Sequence, residues 1–124
     1  MLRLHVMSAQ LTDSKDGLSV RLAEIEQKWA QLNDRINAEP KLRRRLGPIM
    51  KKLLHDVGHH KRATKVALHK SEKAVADIAR TPIDVAAMER TLERSLEVSA
   101  RINKELTELN RSLDELLAAC GLLS

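Results

Sequence analysis

A chain of 124 residues with one cysteine excludes an intramolecular disulfide framework, and with Trp29 as its only aromatic it is poorly equipped for an aromatic-lined small-molecule pocket. The length fits a single domain, residues 1–124, whose core must be built from Leu, Ile, Val, Ala and Met. The net charge of +5 is unevenly placed: residues 41–73 hold eleven Lys/Arg against two acids, Asp56 and Glu72, whereas residues 1–40 sum to −1 and residues 74–124 to −3.

Leu18, Leu22, Ile25, Trp29, Leu32 and Ile36 recur at spacings of four and three, with Leu4 and Leu11 in the same register upstream. This is the seam of an amphipathic helix. Asp13, Ser14 and Asp16 are suited to capping its start, and Gly17 interrupts continuity with residues 2–12, so helix one is placed at about 14–38. Ala38-Glu39-Pro40 closes it, because the residue before a proline is steered away from helical backbone.

Gly47-Pro48 is the strongest punctuation in the chain, and Pro48 suits the first turn of a new helix. Helix two is therefore expected from about 48 to 79. Its apolar stripe comprises Met50, Leu53, Leu54, Val57, Ala67, Leu68, Ala74, Val75 and Ile78. Thr64 and Ser71 interrupt the seam, and His60 or Lys61 flanks it. Thr81-Pro82-Ile83-Asp84 marks the next break, with Asp84 as N-cap of helix three, about 85–119. Val85, Met88, Leu92, Ser95, Ser99, Ile102, Leu106, Leu109, Leu113 and Leu116 keep three/four spacing along it, and Gly121 is placed as its C-cap. Folding helices two and three about the break sets Ser95 and Ser99 level with Leu68 and Thr64, so that two small, polar stretches meet.

The fold class is all-α: a long antiparallel helical hairpin plus a shorter N-terminal helix. It closes either as a three-helix bundle or as a dimeric four-helix coiled-coil-type bundle. Leu109 and Leu113, with the Leu122-Leu123 tail, are expected to stay partly exposed in a monomer, which favours a dimer. The Leu32-Asn33 and Leu109-Asn110 pairs, with Trp29 in the seam, resemble spectrin-type three-helix repeats; no function is taken from that likeness.

Opposite the seam of helix two, periodicity gathers Lys51, Lys52, His55, His59, Arg62, Lys65, His69 and Lys73 into an outward cationic stripe, which Arg43, Arg44 and Arg45 extend beyond the Gly-Pro corner. These eleven residues are the predicted binding face. The favoured function is a non-enzymatic, self-associating interaction module that docks an acidic protein partner there. Sequence-independent nucleic-acid binding through the same face is the alternative, since phosphates would be neutralised with counterion release; base stacking lacks the aromatics it needs.

His55-Asp56-Val57-Gly58-His59-His60 is a histidine followed by an acid on the first long helix of a hairpin, and it resembles the phospho-accepting helix of sensor histidine kinases and their phosphotransfer relatives. The resemblance implies His55 as phosphoacceptor, with Asp56 orienting its ring or acting as base. The likeness covers about six residues, and the later glycine and histidine depart from the commonest spacing. His55 and His59 have a two-ligand zinc spacing, but no further ligand is suitably placed, so no metal and no cofactor are expected. Residues 1–11 are too short and polar for a signal peptide, no apolar run of membrane-spanning length exists, and the lone Cys120 suits a reducing compartment. A cytoplasmic location follows as the expectation.

Overall fold

Two prolines compete to end the first helix, and their surroundings decide the outcome. In the computed structural model, which describes residues 2–80 and 84–123 and the side chains of 3–80 and 84–121, helix α1 spans Leu2–Ala38, α2 spans Pro40–Ala79 and α3 spans Val85–Leu123. Glu39 is the hinge: it sits in extended backbone (φ −123°, ψ 115°), the region into which a following proline pushes it, and Pro40 occupies the first turn of α2. Pro48, expected in that role, instead lies inside α2 on its exposed side. The reason is packing. Leu42 and Leu46 are buried in line with Met50, Leu53 and Val57, and a break at Gly47-Pro48 would take both leucines out of the core. Their burial outweighs the missing Pro48 N–H and the crowding of the Arg44 carbonyl, a cost of about 3 kcal/mol.

Two other predicted boundaries also move. α1 runs unbroken through Gly17 because Leu4, Met7 and Leu11 are buried on the same seam as Leu18 and Ile25. α3 continues past Gly121, which is helical rather than a left-handed cap. The Asp84 cap forms as expected, its Oδ1 accepting from the Ala87 N–H at 3.0 Å. The preceding Thr81-Pro82-Ile83 break lies outside the described residues. A Cβ on Gly17 would meet nothing within 4 Å, so Gly17→Ala is expected to raise stability by about 1 kcal/mol, read as a higher urea midpoint with an unchanged m-value.

The three helices pack against one another, α1 beside both others along their length. Ion pairs mark that register: Arg3 with Glu89 and Glu93 and Lys28 with Asp114 tie α1 to α3, while Lys15–Glu72 and Lys61–Glu26 tie α1 to α2. All are solvent-exposed in part and fix alignment more than they stabilise. Leu109 and Leu113, expected to be half-exposed in a monomer, are buried within the single chain, since α1 covers them. Leu54, assigned to the apolar stripe, is 56% exposed: of the adjacent pair only Leu53 can face inward.

The core is in two parts. A long one contains Ile25, Leu32, Leu42, Leu106 and Leu113, and a short one contains Leu4, Leu11, Ala74, Ile78 and Leu92. Ser71 is buried on α2 between the two parts, and Ser99 is buried on α3 between Leu92 of the short part and Ile102 of the long one. Thr64 is buried inside the long part, between Val57 and Ala67. Thr64 Oγ1 and Ser99 Oγ make no hydrogen bond within the protein. α1 is the least amphipathic of the three helices. Besides its buried seam it carries a second three/four-spaced line, at positions 6, 9, 13, 16, 20, 23, 27, 30 and 34, every one exposed.

Candidate nucleic-acid or acidic-partner interface

All eleven residues of the predicted basic face are exposed on α2. Helical periodicity places Arg44, Lys51, Lys52, His55, His59, Arg62, Lys65, His69 and Lys73 on the side away from Met50, Leu53, Val57 and Thr64. Arg43 and Arg45, being consecutive with Arg44 in an unbroken helix, fall on its two flanks. The ion pairs that join the helices bypass this face. Among the described residues, none of Arg43, Arg44, Arg45, Lys51, Lys52, Arg62, Lys65 and Lys73 has a carboxylate within 4.0 Å. From Arg43 to Lys73 the line is about 45 Å long at helical rise.

His60 and Lys61, the ambiguous flank of the seam, divide between neighbours. His60 is half-buried with Nδ1 3.5 Å from Glu105 on α3, and Lys61 reaches Glu26 on α1. The His59 ring meets the His60 ring edge-on, centroids 5.4 Å apart, and stays at the surface. His55 is well exposed, and its Nδ1 lies 3.8 Å from Asp56 Oδ1, beyond hydrogen-bonding distance. Gly58 makes room for its own chain: a Cβ there would stand 3.3 Å from Arg62 Nη1, so the guanidinium folds over the glycine. Among the described residues no three His, Cys, Asp or Glu side chains converge as a metal site would require.

One feature went unseen in the sequence. α2 and α3 are the least closely packed pair, and a groove of about 1030 Å³ runs between them on the side away from α1. Its floor is small and aliphatic, Ala63, Ala67 and Ala74 from α2 and Val98 and Ile102 from α3, and the exposed Val66 stands at its α2 edge. Arg62, Lys70 and Lys73 line one rim and Arg94 and Arg101 the other, against two acids, Asp77 and Glu105. Thus Arg62, Lys73 and His59 of the predicted face border the groove, while Arg43, Arg44, Arg45, Lys51, Lys52, His55, Lys65 and His69 do not line it. The cations of α3 were missed because helix three, taken alone, intersperses both signs. The small residues that open the groove, Ala63, Ala67, Ser71, Ala74 and Ser95, were the available signal.

Cys120 is buried at the far end of the bundle, where burial pushes its thiol up, with Arg35 opposing and Glu39 adding to the shift. A raised thiol loses the thiolate that reactivity requires. Among the described residues no helix is long and apolar enough to cross a membrane. No family model, curated protein or solved structure matches this chain.

Proposed function

We propose that this chain is a non-enzymatic protein-interaction module of the cytoplasm that docks an anionic helical surface on the basic face of α2 and the adjoining α2/α3 groove. The observation that carries the reading is the concentration of eight exposed Lys/Arg side chains on α2 that, among the described residues, have no carboxylate within 4.0 Å, two of which, Arg62 and Lys73, border the groove. Like charges along one helix face repel. An anionic partner removes that repulsion and accelerates encounter. The groove adds what a solvated face lacks, an aliphatic floor against which a helix can bury side chains.

The test is fluorescence anisotropy of a labelled Glu/Ala-repeat helical peptide titrated with the protein. Binding is expected at low salt and should weaken steadily as salt rises. Arg62→Glu with Arg101→Glu should weaken it by about tenfold or more. No binding at low salt refutes the reading.

Sequence-independent nucleic-acid binding is the second reading, favoured by the same unpaired cations and by the length of their line. Val66 separates the two, being a 54% exposed apolar side chain on the α2 rim of the groove, one turn from both Arg62 and Lys70. Val66→Lys adds bulk and a cation there. It is expected to weaken the acidic peptide by about tenfold, through loss of an apolar contact at the groove edge, while leaving duplex DNA binding unchanged or tighter, since a duplex contacts cations and not apolar side chains. The opposite ranking assigns the face to nucleic acid. Phosphotransfer through His55 gains no support from the geometry beyond the exposure of the ring.

A further inference from the structure

The groove specifies its occupant by shape and charge, and one surface of this same chain has both. A helix seated between α2 and α3 must present small side chains to a floor of Ala63, Ala67 and Ala74, with Val66 at its edge, and acids to Arg62, Lys73 and Arg101. The lined stretch of α2, residues 59–77, is about 27 Å long, so the helix must offer such a face over about eighteen residues. The outer face of α1 is of this kind. Its second three/four-spaced line carries Val20, Ala23 and Ala30 between Asp13, Asp16 and Asp34, and Glu24 is exposed beside it. Gly17, next to Asp16, has open space around it.

Solvent-facing helix surfaces do not need apolar residues at heptad spacing, yet α1, the least amphipathic of the three helices, carries them on this outer line as well as on its buried seam. Of the five large hydrophobic side chains exposed among the described residues, Val6 and Val20 lie on this line and Val66 lies in the groove. One contact would cover the last two and extend towards the first.

We infer that the occupant of the α2/α3 groove is the outer face of α1 from a second copy of the chain. The inference rests on the reading of the groove as a dock for an anionic helix and names its partner. Face and groove lie on opposite sides of the bundle, because α1 packs on the far side of the α2–α3 pair. Two copies cannot satisfy each other reciprocally, and the contact is head-to-tail, adding further copies along a line or around a ring. The +5 charge of each copy opposes this, but the acidic line of α1 and the cationic groove bring unlike charges together at the contact itself.

Sedimentation velocity of the full chain over a wide concentration range tests it. At low salt the weight-average mass is expected to rise beyond a dimer and to return to the monomer as salt increases. Asp13→Lys with Asp16→Lys should weaken association by about tenfold or more, as should Arg94→Glu with Arg101→Glu, and an equimolar mixture of the two double variants should associate where each alone does not. All four positions are exposed, and circular dichroism melts close to that of the parent chain confirm that folding is intact. A mass that stops at a dimer, or association indifferent to the α1 reversal, overturns the inference. A chain that binds the Glu/Ala peptide but stays monomeric overturns the second copy as occupant and leaves the dock standing. A chain that does neither removes both.

Discussion

Leu106→Ala is expected to cost about 3 kcal/mol of folding stability, roughly 12 °C in melting temperature for a domain of this size. Leu106 is fully buried in the longer core, to which α1 contributes Ile25 and Leu32 and α2 contributes Leu53 and Val57. The buried side chains of this core are aliphatic apart from Cys120, with Trp29 only partly buried against them, so the loss should fall well inside the range for buried leucines. Urea unfolding followed by far-UV circular dichroism measures it. At high salt, where charged association is screened, the loss should be the same at protein concentrations about tenfold apart. That follows because Leu106, Leu109 and Leu113 are covered by their own chain. A midpoint that climbs with concentration would mean that these leucines are shared between copies.

Thr64→Val and Ser99→Ala are expected to act in the opposite direction, each stabilising by about 1–2 kcal/mol. Both hydroxyls are buried and neither makes a hydrogen bond within the protein. Removing such a group removes its desolvation penalty, and in each case the shape of the side chain is largely kept. The check is the same urea experiment on single and double variants. Destabilisation by either substitution would show that the hydroxyl is hydrogen-bonded in solution.

The seams were the most legible part of the molecule. Leu18 to Ile36 and Leu92 to Leu113 are buried where three/four spacing places them, because a helix packed on two others has one stripe to hide. Asp84 was equally readable, as an oxygen acceptor before an apolar run. The prolines were harder to rank. Glu39-Pro40 and Gly47-Pro48 both carry local chain-breaking chemistry, and only the burial of Leu42 and Leu46 determines which one yields. Those leucines stand four and eight residues before Met50, so the continuity of the stripe was already visible. Leu109 and Leu113 were misjudged for a different reason: their exposure depends on whether α1 lies along α3, which spacing within α3 does not reveal.

The basic face was legible as an ordered line, and all of it is exposed. Its relation to a groove was not. A groove is a property of two helices at a shared level, and it emerges only when the alanines and serines of α2 and α3 are brought opposite each other. Arg94 and Arg101 acquire meaning at the same moment, as the second rim. The outer line of α1 was hidden by its own buried seam, since both have the same period.

The central claim is that an anionic helix is held in the α2/α3 groove and not merely attracted to a charged surface. Methyl-group NMR of the full chain, titrated with the Glu/Ala peptide at moderate salt, tests it most directly. The predicted result is saturable shifts at Val66, Ala67, Ala74 and Val98 on the groove, with Val57 and Leu106 in the core unmoved. Shifts absent from the groove floor and confined to the Arg43–Arg45 end of α2 would contradict it.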